Sequence, residues 1–310
     1  EYLLYQALIG AWPTGGAQAA QPLAAFRERV VQYMMKAIKE AKVHTSWVNQ
    51  NEPYEAAVRD FTLAILPAEP EAPESGEPSE LRFTAELGRF AQRVAYYGRW
   101  NSLAQSLLKL TSPGVPDLYQ GCELWSFTLV DPDNRGPVDF EQRRQLLSAL
   151  RERAQQTSAS LLAHELVESS EDGRIKLYTI WKALGLRRSQ PELFTRGDYL
   201  PLTAGGKRAE HVCAFARTLG SRSVLVVVPR LIVGLTAGQE RAPLKHEVWQ
   251  DTWLAIPESL RAGSYRDVFT GAVLTPQEVA AGGQRGLLLG DILSTFPVAL
   301  LEEVDARPSA

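Results

Sequence analysis

Cysteine and histidine are scarce in this sequence. Among its 310 residues there are two cysteines, Cys122 and Cys213, and four histidines. Because the cysteines lie far apart, a disulfide framework is not expected, and the composition fits a reducing cytoplasm. No cluster of cysteine and histidine indicates a metal site. The paired glycines at 205–206 and 282–283 match no phosphate-binding loop, so no cofactor is predicted.

An excess of positive charge is also lacking, as are long apolar runs. The formal net charge of -3 provides no basic field for nucleic acid or anionic lipid. No apolar stretch approaches the roughly 20 residues of a membrane span. With 45% hydrophobic and 22% charged residues, the chain has the composition of a soluble globular protein. We therefore expect neither nucleic acid nor a membrane as a partner.

The most informative stretch lies between residues 111 and 139. Pro113 and Pro116 disfavour a helix, and the short apolar run at 115–119 predicts a buried strand of a parallel sheet that ends at Gly121. Polar and aromatic side chains follow it, namely Glu123, Trp125, Asp131, Asp133, Asn134 and Arg135. Such groups just past a buried strand suit a sugar site on a (β/α)8 barrel. The alternative is a solvated loop held by Asx turns.

Two segments of this stretch resemble sequences of a known protein family. Residues 114–123 read Gly-Val-Pro-Asp-Leu-Tyr-Gln-Gly-Cys-Glu, and residues 129–139 read Leu-Val-Asp-Pro-Asp-Asn-Arg-Gly-Pro-Val-Asp. They resemble the region around the eighth barrel strand in the α-amylase family of glycoside hydrolases, and in particular its malto-oligosyltrehalose synthases. Gly136 departs from that pattern, in which a second basic residue is expected. The resemblance to the family extends to the segment around Trp47, to the segment that begins at Phe194, and to the terminal Phe-Pro-Val-Ala-Leu-Leu.

The resemblance implies an α/β plus all-β fold. Residues 1–192 would be the last part of a (β/α)8 barrel, mostly helical with its eighth strand and a helical insertion. Residues 193–310 would be an antiparallel β-sandwich domain, and their strand-length apolar runs separated by Gly and Ser turns agree with this. The Pro-rich acidic segment 67–80 predicts a flexible loop. Pro297 places the last strand at a sheet edge.

The resemblance also implies an activity. The family rebuilds the reducing-end α-1,4 bond of a malto-oligosaccharide as an α,α-1,1 bond by intramolecular transglucosylation, which leaves a terminal trehalose. Its catalytic acids lie on earlier barrel strands, so no catalytic residue is assigned here. The chain begins at Glu1 rather than Met, which fits the back part of a longer protein. The expected partners are a malto-oligosaccharide and the missing N-terminal barrel half, and the chain alone is expected to be inactive.

Eight residues are candidate sugar contacts. Indole rings cover the apolar face of a pyranose, and carboxylate, amide and guanidinium groups bind its hydroxyls. The candidates are Trp47, Asn49, Glu123, Trp125, Asp131, Asp133, Asn134 and Arg135. Asp131 and Asp133 would lie about 7 Å apart on an extended chain. Pro132 between them favours a turn over a catalytic pair.

Two other functions remain open. The chain could belong to another α-amylase-family hydrolase or transferase, although the 129–135 run argues against this. It could also be a non-catalytic glucan-binding module that uses Trp249 and Trp253 of the β-domain. Substituting those two residues would then abolish binding.

Local signals also predict several helices. Asn51 and Asp139 are predicted N-caps. An apolar stripe from Phe26 to Ile38 predicts an amphipathic helix whose Arg and Lys side chains face outward. The aromatics and glycine at 96–101 predict a kink or an end in a long helix that starts near residue 81.

Overall fold

The computed structural model describes residues 1–14, 23–66, 79–260, 263–280 and 283–304, with the side chains of 79–82 also left out. Its helices are α1 Tyr2–Ala11, α2 Leu23–Ala41, α3 Glu52–Ile65, α4 Ser79–Thr111, α5 Phe140–Gln156, α6 Ala159–Glu168, α7 Arg174–Ser189, α8 Pro191–Arg196, α9 Ile232–Leu235, α10 Lys245–Trp249 and α11 Leu289–Ile292. The flexible loop predicted at 67–80 lies outside the described residues, except for the first two residues of α4. Among the described residues no helix is long and apolar enough to cross a membrane.

The strands follow the helices along the chain. They are β1 Asp198–Pro201, β2 Ala204–Gly205, β3 Val212–Leu219, β4 Arg222–Pro229, β5 Trp253–Ala255, β6 Ser264–Asp267, β7 Val273–Leu274, β8 Gln277–Ala280, β9 Gln284–Leu288 and β10 Ala299–Val304. They form a six-stranded sheet in the order β1-β3-β4-β10-β6-β7 and a four-stranded sheet in the order β2-β5-β9-β8.

Side-chain caps begin several helices where the sequence predicts them. The Asn51 side chain accepts a hydrogen bond from the backbone N–H of Tyr54 (3.3 Å), which starts α3. Asp139 accepts from the N–H of Gln142 (2.8 Å), which starts α5. Both predicted caps are confirmed. The helix α4 is helical throughout 96–101, so the predicted end there is wrong.

The chain divides into two compact units. Unit 1 comprises Glu1–Tyr96 and Trp125–Val138, and unit 2 comprises Tyr97–Leu124 and Asp139–Ala310. In unit 1, α1 and α2 bury an apolar core that includes Leu8, Phe26 and Val30, and Leu129, from the segment that precedes α5, also belongs to it. The predicted division at residue 193 remains a prediction, although the ten strands found in the described residues all follow it.

Unit 2 contains both sheets. Every strand pair given above is antiparallel, which confirms the predicted antiparallel β region. Val227 and Leu301 of the six-stranded sheet share one buried cluster with Leu254 and Leu287 of the four-stranded sheet. Apolar side chains of both sheets therefore face a common core, as in a sandwich.

Two strand predictions are wrong. Residues 115–119 form no strand in the structure, and Val115 is 97% exposed. A parallel strand depends on neighbours for its hydrogen bonds, and the described part of the chain supplies none for this segment. The last strand, β10, is not at an edge, because it pairs with β4 on one side and β6 on the other. Pro297 lies before the start of β10, so its missing N–H removes no hydrogen bond from the pairing of β10 with its neighbours.

The buried carboxyl group of Asp267, at the end of β6, should make the stability of the protein depend on pH. It is 2% exposed and accepts hydrogen bonds from the N–H of Phe269 (3.2 Å) and the hydroxyl of Thr270 (2.6 Å). Burial raises its pKa to about 6, although these hydrogen bonds act in the opposite direction. The folded state therefore holds this proton more tightly than the unfolded state, and stability decreases as pH rises from about 4 to about 6.

Asp267→Asn should remove this decrease. We expect its free energy of unfolding, relative to the wild type, to rise by about 2 kcal/mol between pH 4 and pH 7. Urea unfolding of both proteins at the two pH values measures this difference, in which the contributions of all other carboxyl groups cancel. A difference that is constant with pH would contradict the assignment.

Candidate functional site

The loop at 127–135, which carries four of the predicted contacts, is attached to α2 by Arg29. The guanidinium donates from Nε to Oδ1 of Asp133 (2.7 Å) and from Nη2 to its Oδ2 (2.8 Å). Nη2 also donates to the carbonyl of Phe127 (2.9 Å). Oδ2 of Asp133 accepts in addition from the N–H of Leu129 (2.6 Å). Because the side chains of Arg29 and Asp133 are only 17% and 15% exposed, this bidentate ion pair fixes the loop firmly.

A second attachment lies two turns further along α2. The ammonium of Lys36 donates to the backbone carbonyl of Asp131 (2.6 Å) and to its Oδ2 (3.1 Å). Arg135 forms an ion pair with the other carboxylate oxygen and remains 70% exposed. Both acidic side chains of the loop therefore contact cations, which suits anchoring better than acid–base catalysis. Sugar contacts by Asp131, Asp133 and Arg135 remain predictions.

Asn134 lies between these anchors in the 3-10 turn Asp133–Arg135. Its amide oxygen is buried and accepts no hydrogen bond from any described residue. A buried acceptor without a donor costs about 1–3 kcal/mol. Because this oxygen is shielded from solvent, the structure does not present it to a ligand, and a sugar contact by Asn134 remains a prediction.

Trp47 and Asn49 lie on a tight turn that precedes α3. The N–H of Ser46 donates to the carbonyl of Asn49 (3.0 Å), and the N–H of Asn49 donates to the Ser46 hydroxyl (2.9 Å). This closed turn projects Trp47 and Val48 outward, and they are 55% and 98% exposed. The structure thus presents an indole on a well-defined turn.

The turn is also attached to α2, through Lys39. The ammonium lies 5.0 Å from the centroid of the Trp47 ring and 3.1 Å from a carboxylate oxygen of Glu55. Glu55 accepts from the hydroxyl of Thr45 (2.5 Å), whose oxygen accepts from the N–H of Asn51 (3.0 Å). The Thr45 hydrogen bond, opposed by partial desolvation and helped by Lys39, lowers the pKa of Glu55. Both predicted loops of unit 1 are therefore fixed to one helix, and their nearest attachment points, Lys36 and Lys39, lie about 4.5 Å apart along its axis.

Glu123 belongs to unit 2 and has a different partner. Arg143 of α5 donates to its carboxylate (3.0 Å), and also to the carbonyls of Gly121 (2.9 Å) and Asp139 (2.9 Å). Close to Glu123, burial lowers the pKa of Lys176, and the negative charge of Glu123 partly opposes this. Trp125 lies in unit 1 and is half-buried.

Sequence reasoning missed the residues that hold these loops. Arg29, Lys36 and Lys39 were expected to face solvent, but they form one basic stripe that contacts the site loops. Their spacing of seven and then three residues places them on one face of a helix, which was the available signal. The acidic partners lie up to 104 residues away in sequence, and no local pattern pairs them.

The tryptophans proposed for a glucan-binding β-domain are placed unfavourably. Trp249 is fully buried in the core of unit 2 and donates its indole N–H to the carbonyl of Pro243 (2.9 Å). A role for Trp249 in surface binding is therefore wrong. Trp253 is half-buried, and its ring lies so close to Gly205 that a Cβ there would be 2.2 Å away. Within the described ranges, no group of three or more His, Cys, Asp or Glu side chains could hold a metal ion.

The chain is similar to maltooligosyl trehalose synthases, both among curated proteins and among solved structures. No family model matches the chain. A Mycobacterium tuberculosis protein (strain CDC 1551 / Oshkosh) named as a maltooligosyl trehalose synthase is 37% identical over 298 residues, which are 96% of this chain and 31% of the relative. A protein of the same name from strain H37Rv matches equally.

Solved structures give the same result. Maltooligosyltrehalose synthase from Arthrobacter ramosus superposes with a TM-score of 0.68 and 32% identity, over 97% of this chain and 32% of that one. A further structure of a maltooligosyl trehalose synthase gives a TM-score of 0.62 and 28% identity, over 98% and 33%. The chain spans about a third of the length of these relatives. The resemblance seen in the sequence is therefore confirmed, and the chain is similar over nearly its whole length to a C-terminal part of maltooligosyl trehalose synthase.

Proposed function

We propose that this chain is the C-terminal part of a cytoplasmic isomerase that converts the reducing-end α-1,4 bond of malto-oligosaccharides into an α,α-1,1 bond. The similarity to maltooligosyl trehalose synthases over 96% of the chain carries this proposal. The helices of residues 1–192 would belong to the last part of a (β/α)8 barrel, and residues 193–310 would be its β-domain. The proposed partners are the remaining barrel and a malto-oligosaccharide, and no cofactor is proposed.

The chemistry defines what such a chain must supply. Retaining transfer at a glucosidic bond requires a carboxylate nucleophile and a carboxylic acid about 5 Å apart. Asp131 and Asp133 are paired with cations, so we assign both catalytic acids to the upstream barrel and expect the chain alone to be inactive. The released glucose must also be retained and turned before water attacks, which requires polar groups around it.

The loop fixed by α2 is suited to that second requirement. Arg135 on this loop is largely exposed, and its guanidinium can donate hydrogen bonds to sugar hydroxyls. We assign Asn134 and Arg135, together with Trp47, Asn49, Trp125, Asp131 and Asp133 of unit 1, to contacts with the glucan. We assign a glucan contact to Glu123 of unit 2 as well.

Incubation with maltopentaose tests the proposal when reducing ends and free glucose are measured separately. We expect reducing ends to disappear without glucose release only when the chain is combined with the upstream barrel half. Glucose release would instead support a hydrolase. Activity of this chain alone would contradict the assignment of the catalytic acids to the upstream half.

A further inference from the structure

We propose that unit 1 carries a self-sufficient carbohydrate-binding surface, formed by the turn at 46–49 and the beginning of α3, which holds a malto-oligosaccharide without the rest of the enzyme. The geometry points to a neutral, polyhydroxylated ligand, and the choice of malto-oligosaccharide rests on the proposed function. This extends the role of Trp47 and Asn49 from one wall of a completed site to an independent attachment point.

The first argument is the presentation of Trp47. One face of its ring lies against the ammonium of Lys39 at 5.0 Å, and the side chain is nevertheless 55% exposed. The contact with Lys39 and the hydrogen-bonded turn fix the ring before any ligand arrives, so binding loses little side-chain entropy. An indole that is fixed on one face and accessible elsewhere suits the apolar face of a pyranose ring.

The second argument is the depression beside this turn. A shallow hollow of about 480 Å³ is lined by His44, Asn49, Gln50, Asn51, Glu52 and Pro53. His44 contacts the ring of Tyr54 with centroids 5.0 Å apart, which fixes one wall. Amide groups both donate and accept hydrogen bonds, as sugar hydroxyls require.

The third argument is charge. The ammonium of Lys39 is balanced by the carboxylate of Glu55 at 3.1 Å, so the support beneath the indole has no net charge. Glu52 lines the hollow and disfavours anionic ligands. Phosphate-bearing ligands are therefore poor candidates, whereas a neutral glucan meets no electrostatic penalty.

Titration of the full chain with maltoheptaose, followed through the indole N–H signals in nitrogen-labelled protein, tests the proposal. We expect the signal that Trp47→Phe removes from the spectrum to shift on titration. We expect Trp47→Ala to weaken binding at least tenfold, whereas Trp47→Phe weakens it only about threefold. Asn49→Ala should also weaken binding. The matched control is Tyr2→Ala, which removes another exposed aromatic of unit 1 (77% exposed) and should leave binding unchanged.

Two results would overturn the inference: an unshifted Trp47 signal at saturating maltoheptaose, or equal affinities of Trp47→Ala and the wild type. The proposed function has its own readout, the loss of reducing ends with the upstream half present. Binding without isomerisation would contradict the proposed function alone. Isomerisation without a shift at Trp47 would contradict only the independent binding surface.

Discussion

Replacing Arg217 by methionine should destabilise unit 2 by about 3–5 kcal/mol. Arg217 lies on β3 and is 1% exposed. Its guanidinium donates to four backbone carbonyls, those of Thr111 (3.0 Å), Phe194 (3.0 Å), Gly197 (2.8 Å) and Asp198 (3.3 Å). Methionine fills a similar volume but donates no hydrogen bond.

The size of this effect follows from where the carbonyls lie. Thr111 ends α4, and Phe194 lies in the last turn of α8. Carbonyls at helix C-termini have no intrahelical donor and carry partial negative charge, which a buried cation offsets. One side chain thus satisfies acceptors from two helices and from β1, and its loss would leave several of them buried without a donor.

Urea unfolding of the full chain measures the effect. Arg217→Lys should show an intermediate loss, because an ammonium cannot reproduce the planar arrangement of the guanidinium donors. The matched control is Arg222→Met on β4, whose side chain is 48% exposed and pairs with Glu192 at 3.4 Å. That change should cost less than about 0.5 kcal/mol. A cost below about 1 kcal/mol for Arg217→Met would contradict the assigned role.

Signals confined to a few residues predicted this structure well. The Asn51 and Asp139 caps fix where α3 and α5 begin, because a cap involves residues only three apart. The family resemblance also indicated which enzyme the chain is similar to, although it predicted no contact between particular residues.

Features that depend on distant partners were predicted poorly. The apolar run at 115–119 predicts a strand, but a strand forms only where a neighbouring backbone supplies hydrogen bonds. Pro297 suggested an edge, yet the position of β10 is decided by its pairing with β4 and β6. The role of Arg29 depends on an aspartate 104 residues away. These contacts are set by tertiary packing and leave no local pattern.

Replacing Arg29 by methionine should release the loop at 127–135 while leaving the fold of unit 1 intact. The pair with Asp133 is largely shielded from solvent, and its loss leaves a carboxylate without its two-pronged donor. We expect a local cost of about 2 kcal/mol, which corresponds to roughly a 30-fold faster exchange of the Leu129 amide hydrogen. That amide donates to Asp133 at 2.6 Å and reports directly on the loop.

Matched variants separate anchoring from general damage. Arg59→Met removes an exposed arginine of α3, 55% accessible and 3.5 Å from the neighbouring Asp60, and should leave the exchange of Leu129 unchanged. Arg29→Lys should be intermediate, since an ammonium provides no planar fork. In a double-mutant cycle, Asp133→Leu should destabilise the loop much less when Arg29 is already methionine than it does in the wild type. Independent effects of the two changes would mean that the pair does not hold the loop.

The same variant connects the structure to the proposed reaction. If the loop forms a wall around the glucose that must turn and react again, its release admits water and loosens the geometry. In the complete enzyme we expect Arg29→Met to lower kcat/KM for isomerisation at least tenfold and to increase the share of free glucose, whereas Arg59→Met changes neither. Faster Leu129 exchange with unchanged products would place the loop outside the reacting site. A higher share of glucose would show that α2, which contributes no candidate sugar contact, determines whether the glucose is transferred or lost to water.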